Sequence, residues 1–258
     1  GQEEQALAAM REALLSPRIS RRDVRTRRKR LARRRAELVG VPGRTHNAAL
    51  SQALFPEGHP LGFRPQAADY RSVSPARARA AWQELVWAGM PAILVAGDTS
   101  AESILPLLET HLLWLGGEGI PVDIPPPDWQ GREVLMVDAP GSGRSWVTLT
   151  LPAPGLGDPS LPAAELATRV LGGDFTSRLS VVLREEMGVV YDIAAELTSW
   201  PGMGRVEITC SVADEDLLDT LAALDEVVGS MAVEPPGGAE VDAARRAMVL
   251  ERALSMGS

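Results

Sequence analysis

Residues Leu171 to Ala195, LGGDFTSRLSVVLREEMGVVYDIAA, constrain the fold of this chain more than any other stretch. The paired glycines Gly172 and Gly173 mark the end of one helix, because glycine enters the left-handed conformation freely and permits close backbone approach. Asp174 or Thr176 then caps a new helix, its side-chain oxygen accepting from a first-turn N–H. That helix carries Arg184 and stops at Gly188. Gly188 sets a turn into a strand bearing Tyr191, which brings Arg184 and Tyr191 to one side.

The same punctuation organises the rest. Residues 3–16 read as a helix with Leu7, Met10 and Leu14 at helical spacing, ended by Pro17. Arg21 to Leu38 is a second, strongly basic helix, and a third runs through Leu54 after Val41-Pro42-Gly43. The segment from Phe55 to Val73 is rich in Pro and Gly and reads as a loop. Ser74-Pro75 opens a helix, since Ser caps and Pro suits the first helical position. Ala92 to Ala96 reads as a buried strand, and Gly97 to Ser100 turns into a helix ending near Trp114. Four prolines, Pro121 and Pro125 to Pro127, stiffen residues 119–131 into a linker. Beyond it come strands Glu133–Val137 and Trp146–Leu151, a helix from Pro162 to Leu171, and, after the opening string, a strand with Val206, Ile208, Cys210 and Val212 alternating. A helix with Leu217, Leu218, Leu221, Leu224 and Val228 on one stripe follows, then a last helix from about Glu240.

At 258 residues, 45% hydrophobic and 23% charged, the chain suits one large domain or two ordinary ones. The single cysteine, Cys210, excludes an intrachain disulfide. The longest weakly polar run, Val86 to Gly97, is too short to span a bilayer. The opening GQEEQALAAM has neither a basic n-region nor an apolar h-region. A mature secreted protein would look the same, so the compartment stays open. Net charge is −8, yet Arg18 to Arg35 holds eleven of the 26 basic residues against one acid, Asp23. Such a run reads as a solvated helix face or as a docking surface for an acidic protein. No aromatic residue interleaves it, which argues against a single-strand nucleic-acid platform.

The two ends repeat each other. Each has an apolar-striped helix, a proline break, an acid–valine pair (Asp23-Val24, Glu240-Val241) and a basic-bearing helix. The offset, 217 residues from Val24 to Val241, is that of a duplicated domain rather than a solenoid. The second copy has strands and a helix ahead of its matching helices, the first has none. Both domains are therefore expected to be incomplete in this chain, within a longer natural protein.

The opening string resembles the "LGG-x-f-x-SRL-x-x-x-lRe-x-x-G-l-a-Y" signature of the M16 metallopeptidases, the insulinase, pitrilysin and mitochondrial processing peptidase family. Phe55 to Gly62 is similar to that family's "lyp-x-HPyG" loop, Ala92 to Asp98 to its "n-x-a-l-v-v-x-G-d" strand end, and Val137 to Pro140 to its "v-d-k-P" opening. The resemblance implies an α+β fold: tandem duplicated M16-like (LuxS/MPP-like) α/β sandwich domains with mainly antiparallel sheets. Residues 1–118 are then the second part of an N-terminal domain and 132–258 a C-terminal domain. It also implies roles: Arg184 and Tyr191 reach the substrate and steady negative charge developing on a peptide carbonyl oxygen, a task suited to a guanidinium fork and a phenol O–H. Gly172, Gly173 and Gly188 form the supporting loop.

The family's zinc motif, a helical H-x-x-E-H with a later glutamate, is not in this chain. Its three histidines, His46, His59 and His111, are far apart in sequence and read as loop or surface residues. The helix where the later glutamate belongs reads RTRRKRLARRR, whose cations would repel zinc. The expectation is a zinc-less subunit with no cofactor of its own, inactive alone, which holds an extended peptide for a zinc-bearing homologue. The alternative is a structural subunit of a larger assembly, like the core proteins of the cytochrome bc1 complex, docked through Arg27, Arg28, Arg30 and Arg34. Composition points to a high-GC bacterium, in cell envelope, periplasm or cytoplasm.

Overall fold

Alternation of branched apolar residues with polar ones makes Met203–Ala213 a strand buried on one face. In the computed structural model it is the centre of a three-stranded antiparallel sheet. The structure describes residues 2–39, 42–55, 58–62, 65–88, 92–114, 124–127, 129, 134–138 and 140–256. In chain order the elements are α1 (Gln2–Leu15), α2 (Arg21–Val39), α3 (Pro42–Leu54), α4 (Ala67–Ser72), α5 (Pro75–Ala88), α6 (Ala101–Leu112), β1 (Arg144–Ala153), α7 (Leu161–Gly172), a π-helical segment (Ser180–Glu186), β2 (Ile193–Trp200), β3 (Met203–Ala213), α8 (Leu217–Val233) and α9 (Gly238–Met256). The fold is thus mixed, with helices and an antiparallel sheet.

The chain forms two compact units, Gly1–Gly40 with Arg64–Asp123, and Val41–Phe63 with Ile124–Ser258. The first, among its described residues, is helical. Trp82 of α5 donates its indole N–H to the Leu14 carbonyl at 2.8 Å, and Arg79 bonds the Ile19 carbonyl at 2.9 Å, so α5 is tied to the end of α1 and the turn before α2. Ser74 caps as expected, accepting from Arg77 N–H at 3.2 Å, and Ser100 caps α6, accepting from Ser103 N–H at 3.3 Å.

In the second unit the strands lie in the order β1-β3-β2. Val206, Ile208, Cys210 and Val212 of β3 point into one core with Leu171, Leu179, Leu183, Ile193 and Leu224. Leu179 and Leu183 are fully buried, each stabilising the fold by roughly 2 kcal/mol. Residues of α3 and the turn after it touch the opposite face: His46 Nε2 meets the Thr148 hydroxyl at 2.7 Å, and the Arg205 guanidinium lies 5.6 Å from the Phe55 ring. That is why 41–63 cluster with the C-terminal residues. Arg178, just ahead of the π-helical segment, grips Glu240 of α9 through two bonds of 2.8 and 3.0 Å, and also donates to the Glu234 carbonyl.

Several expectations are corrected. Ala92–Ala96 is neither a strand nor buried, with Leu94 96% exposed. Val134–Val137 likewise forms no strand and is exposed; Glu133 lies outside the described residues. An apolar run becomes a strand only when a neighbouring backbone takes its N–H and C=O groups, and no described residue pairs with either run. The expected loop 55–73 contains α4, whose first turn is fixed by Gln66 N–H donating to Asp69 at 2.6 Å. On α8 the buried stripe runs through Thr220, Leu224 and Val227, while Leu218 is 78% exposed and Leu221 also faces solvent. Most of the proline-rich stretch 119–131 lies outside the described residues. No helix among the described residues is long and apolar enough to cross a membrane.

Candidate functional site

The end of α7, the turn after it, the π-helical segment and the start of β2 surround a cleft of about 290 Å³. Each part is set locally. Gly172 and Gly173 do not take left-handed angles, correcting that expectation; Gly173 has φ −87°. Their need is space. A Cβ on Gly172 would sit 2.7 Å from the Ala195 Cβ, and one on Gly173 would sit 2.8 Å from the Arg169 Cα. Gly172 lets α7 lie directly on β2, and Gly173 lets the chain fold back over Arg169 of α7. Asp174 then builds the turn: its carboxylate accepts from the Thr176 N–H at 2.9 Å and the Thr176 hydroxyl at 2.7 Å, while its carbonyl takes the Ser177 and Ser180 hydroxyls. Of the two residues weighed as caps, Asp174 accepts and Thr176 donates.

The following segment is wider than an α-helix. Met187 N–H bonds the Val182 carbonyl five residues back. Such π turns are rare and concentrate at functional sites. Gly188, at φ +70°, then reverses the chain. Tyr191 lies two residues before β2 rather than within a strand, and is 85% exposed.

Arg184 and Tyr191 do come together. The Arg184 guanidinium carbon is 5.8 Å from the Tyr191 ring centroid. It is closer still, 4.4 Å, to the ring of Phe175. Both distances are in the range of cation–π attraction, about 0.5–1 kcal/mol at exposed sites. Phe175 was not singled out from the sequence, although an aromatic residue nine positions before an arginine, across a turn, was the available signal. It is 67% exposed, a large apolar ring kept in water beside a cation. Among the described residues no carboxylate pairs with Arg184, and Asp174 is occupied by Thr176 and by Arg169 at 3.6 Å. The cleft therefore offers a guanidinium whose edge is free, a phenol, two aromatic faces and the outer edge of β2, which no described strand other than β3 pairs with; at its far end the Trp200 carbonyl takes the Leu156 N–H.

The histidines do not make a zinc site. His59 is buried, not on the surface: it stacks on Phe55 at 4.5 Å, its Nε2 bonds the Pro125 carbonyl at 2.9 Å and its Nδ1 accepts from Leu61 N–H at 3.0 Å. His46 is half-buried against Thr148; desolvation holds its pKa below the ordinary value, with Glu207 opposing. Both ring nitrogens of His111 are buried without a partner among the described residues. No group of three or more His, Cys, Asp or Glu among the described residues could hold a metal ion. The residues present do not fit zinc. In α2, Arg27, Arg30 and Arg34 are exposed and Arg28 is half-buried.

The description "Peptidase M16 inactive domain" matches residues 72–248. No curated protein matches the chain. Among solved structures, a peptidase M16 inactive domain from Pseudomonas fluorescens is 21% identical with a TM-score of 0.86, over 95% of this chain and 60% of that one. A protease from Helicobacter pylori is 14% identical, TM-score 0.77, over 100% and 64%. A chain of complex III2 from Candida albicans is 15% identical, TM-score 0.69, over 98% and 61%. This chain spans less than two thirds of each of these. At such identities the likeness establishes the fold.

Proposed function

The chain belongs to the peptidase M16 inactive-domain family, and from that premise we propose that it is a zinc-less, substrate-binding subunit that pairs with a zinc-bearing homologue. One observation carries this reading: Arg184, its edge free, is held between Phe175 and Tyr191 beside an edge of β2 that no described strand occupies. An extended peptide adds to such an edge through main-chain hydrogen bonds that demand little of its sequence. Arg184 and Tyr191 would then donate to a peptide carbonyl oxygen and favour the charge that builds there during attack. Phe175 holds the guanidinium plane, so that its N–H edge and not its face is presented. Bond cleavage belongs to the partner; this chain's residues bind and orient. Tandem duplication of the domain is part of the same reading. It is supported by α2 and α9, which are both 19 residues long and whose ends are 217 residues apart.

The test is a complex co-expressed with its zinc-bearing homologue. Arg184→Ala and Tyr191→Phe should each lower peptide cleavage about 10²-fold, as loss of one oxyanion donor does. Cleavage as fast with both changes as without them would refute the reading. A second reading, a structural subunit docked on an acidic protein through Arg27, Arg28, Arg30 and Arg34, is favoured by the charge of α2. It calls for docking that weakens steeply with salt.

A further inference from the structure

The basic helix does more than present charge to solvent. Between α2 and α4 lies a cleft of about 600 Å³, within the size range of ligand pockets. Arg25, Arg28, Lys29 and Arg33 line it from α2, Arg71 lines it from α4, and the buried Ala32 is in its floor. No acid lines it. The acids nearby on the two helices are engaged: Asp23 by Ser20, Glu37 by Arg33 at 2.7 Å, and Asp69 by the Gln66 N–H. Arg25, Arg28, Lys29 and Arg71 have no ion-pair partner among the described residues. Four unpaired cations facing one concavity repel one another, and a bound anion relieves that repulsion.

The spacing narrows the class of anion. Arg25, Lys29 and Arg33 follow at intervals of four residues, about 6 Å apart along the helix axis. Alternate side chains of an extended polypeptide are spaced about 6.6 Å apart on one face. A free phosphate or carboxylate would engage one step of this ladder, whereas an extended segment with acids at every second residue would engage Arg25 and Lys29 together, and Arg33 where it exchanges its Glu37 partner. Nucleic acid fits less well. No aromatic residue lines the cleft for bases to stack on, and the chain is acidic overall, at −8. We propose that the α2–α4 cleft is a binding site for an extended, acidic polypeptide segment with aspartate or glutamate at alternate positions. It is a different face of α2 from Arg27, Arg30 and Arg34, and it does not depend on the Arg184 cleft.

The experiment measures fluorescence anisotropy of three labelled probes on the whole chain at low salt. They are an alternating peptide (Glu-Ala)₄, its isomer with four glutamates followed by four alanines, and a single-stranded oligonucleotide of equal charge. The alternating peptide should bind severalfold tighter than the blocked isomer and tighter than the oligonucleotide. The combined change Arg28→Ala, Lys29→Ala and Arg71→Ala should weaken it about tenfold, each exposed pair being worth a few-fold. Arg27→Ala, Arg30→Ala and Arg34→Ala together, equal in lost charge, should leave it within about twofold. Arg71→Gln, which leaves α2 untouched, should weaken binding a few-fold with unchanged helical circular dichroism. Equal binding of the two peptides, equal losses in the two triple variants, tighter oligonucleotide binding, or no effect of Arg71→Gln would each overturn the proposal.

Discussion

Replacing Gly172 by alanine adds one methyl group where α7 meets β2. The new Cβ would lie 2.7 Å from the Ala195 Cβ, 2.9 Å from the Ala195 nitrogen and 3.2 Å from a Leu179 methyl. Carbon atoms rest at about 3.5–4.0 Å, so helix and strand must part by about 1 Å. Overpacking of this kind costs about 1–3 kcal/mol, and the better helix propensity of alanine returns less than about 1 kcal/mol. Gly172→Ala should therefore destabilise the C-terminal unit by about 1–2 kcal/mol. Ala195→Gly alone should cost about 1 kcal/mol, from backbone entropy and a lost buried methyl. Together they should cost less than their sum by about 0.5–1 kcal/mol, because the worst contact is gone; the rescue is partial, since the Ala195 nitrogen remains. Hydrogen exchange of the β3 amides under increasing urea reads opening of this sheet rather than of the N-terminal helices. If the two changes add within about 0.3 kcal/mol, steric contact at Ala195 is not why residue 172 is glycine.

Two further predictions rest on titrating groups. Arg178 and the Gly237 N–H hold the Glu240 carboxyl down at about 2, from 4.5. A depressed folded value contributes stability that is present above the unfolded value and lost as pH falls, so the wild type should weaken progressively between about pH 4.5 and 2. Glu240→Gln should remove that part of the slope in acid-unfolding curves; identical slopes would refute the pairing. Burial pushes the Cys210 thiol up to about 11, so at pH 8 a thiol reagent should label it about a hundredfold more slowly in the folded chain than in urea. Comparable rates would mean that β3 is not held in the core.

What could be read from the residues was what is decided locally. Gly188 needed a positive φ, Ser74 was suited to cap, and the alternation in β3 had to face a core whichever strands flanked it. The failures share a cause, which is dependence on a distant partner. Ala92–Ala96 and Val134–Val137 carry strand composition, yet pairing depends on another segment's backbone. His59 does lie in a loop, but nothing in its neighbourhood announces its burial against the Pro125 carbonyl 66 residues away. Of the apolar stripe on α8, Leu217, Leu224 and Val228 do pack on the core, whereas Leu218 and Leu221 face solvent and Val227 turns inward. In the Arg184 cleft, the glycines were legible as special and their reason was not. Close approach to Ala195 leaves the same letter in the sequence as a left-handed turn.

The π-helical segment means that the helical stretch before Gly188 carries a slightly longer chain per turn than its length needs. Each residue of an ordinary helix turns the next by about 100°. Were the segment to tighten to α geometry with all its residues kept, everything after it would rotate by about that angle. The hydrophobic ladder through Leu183 would lose its phase, and the guanidinium would swing from its two rings toward another quadrant. The aim of Arg184 is thus set by an angular offset stored in the backbone, and a change of helix type that spares every side chain in the cleft would still blind it.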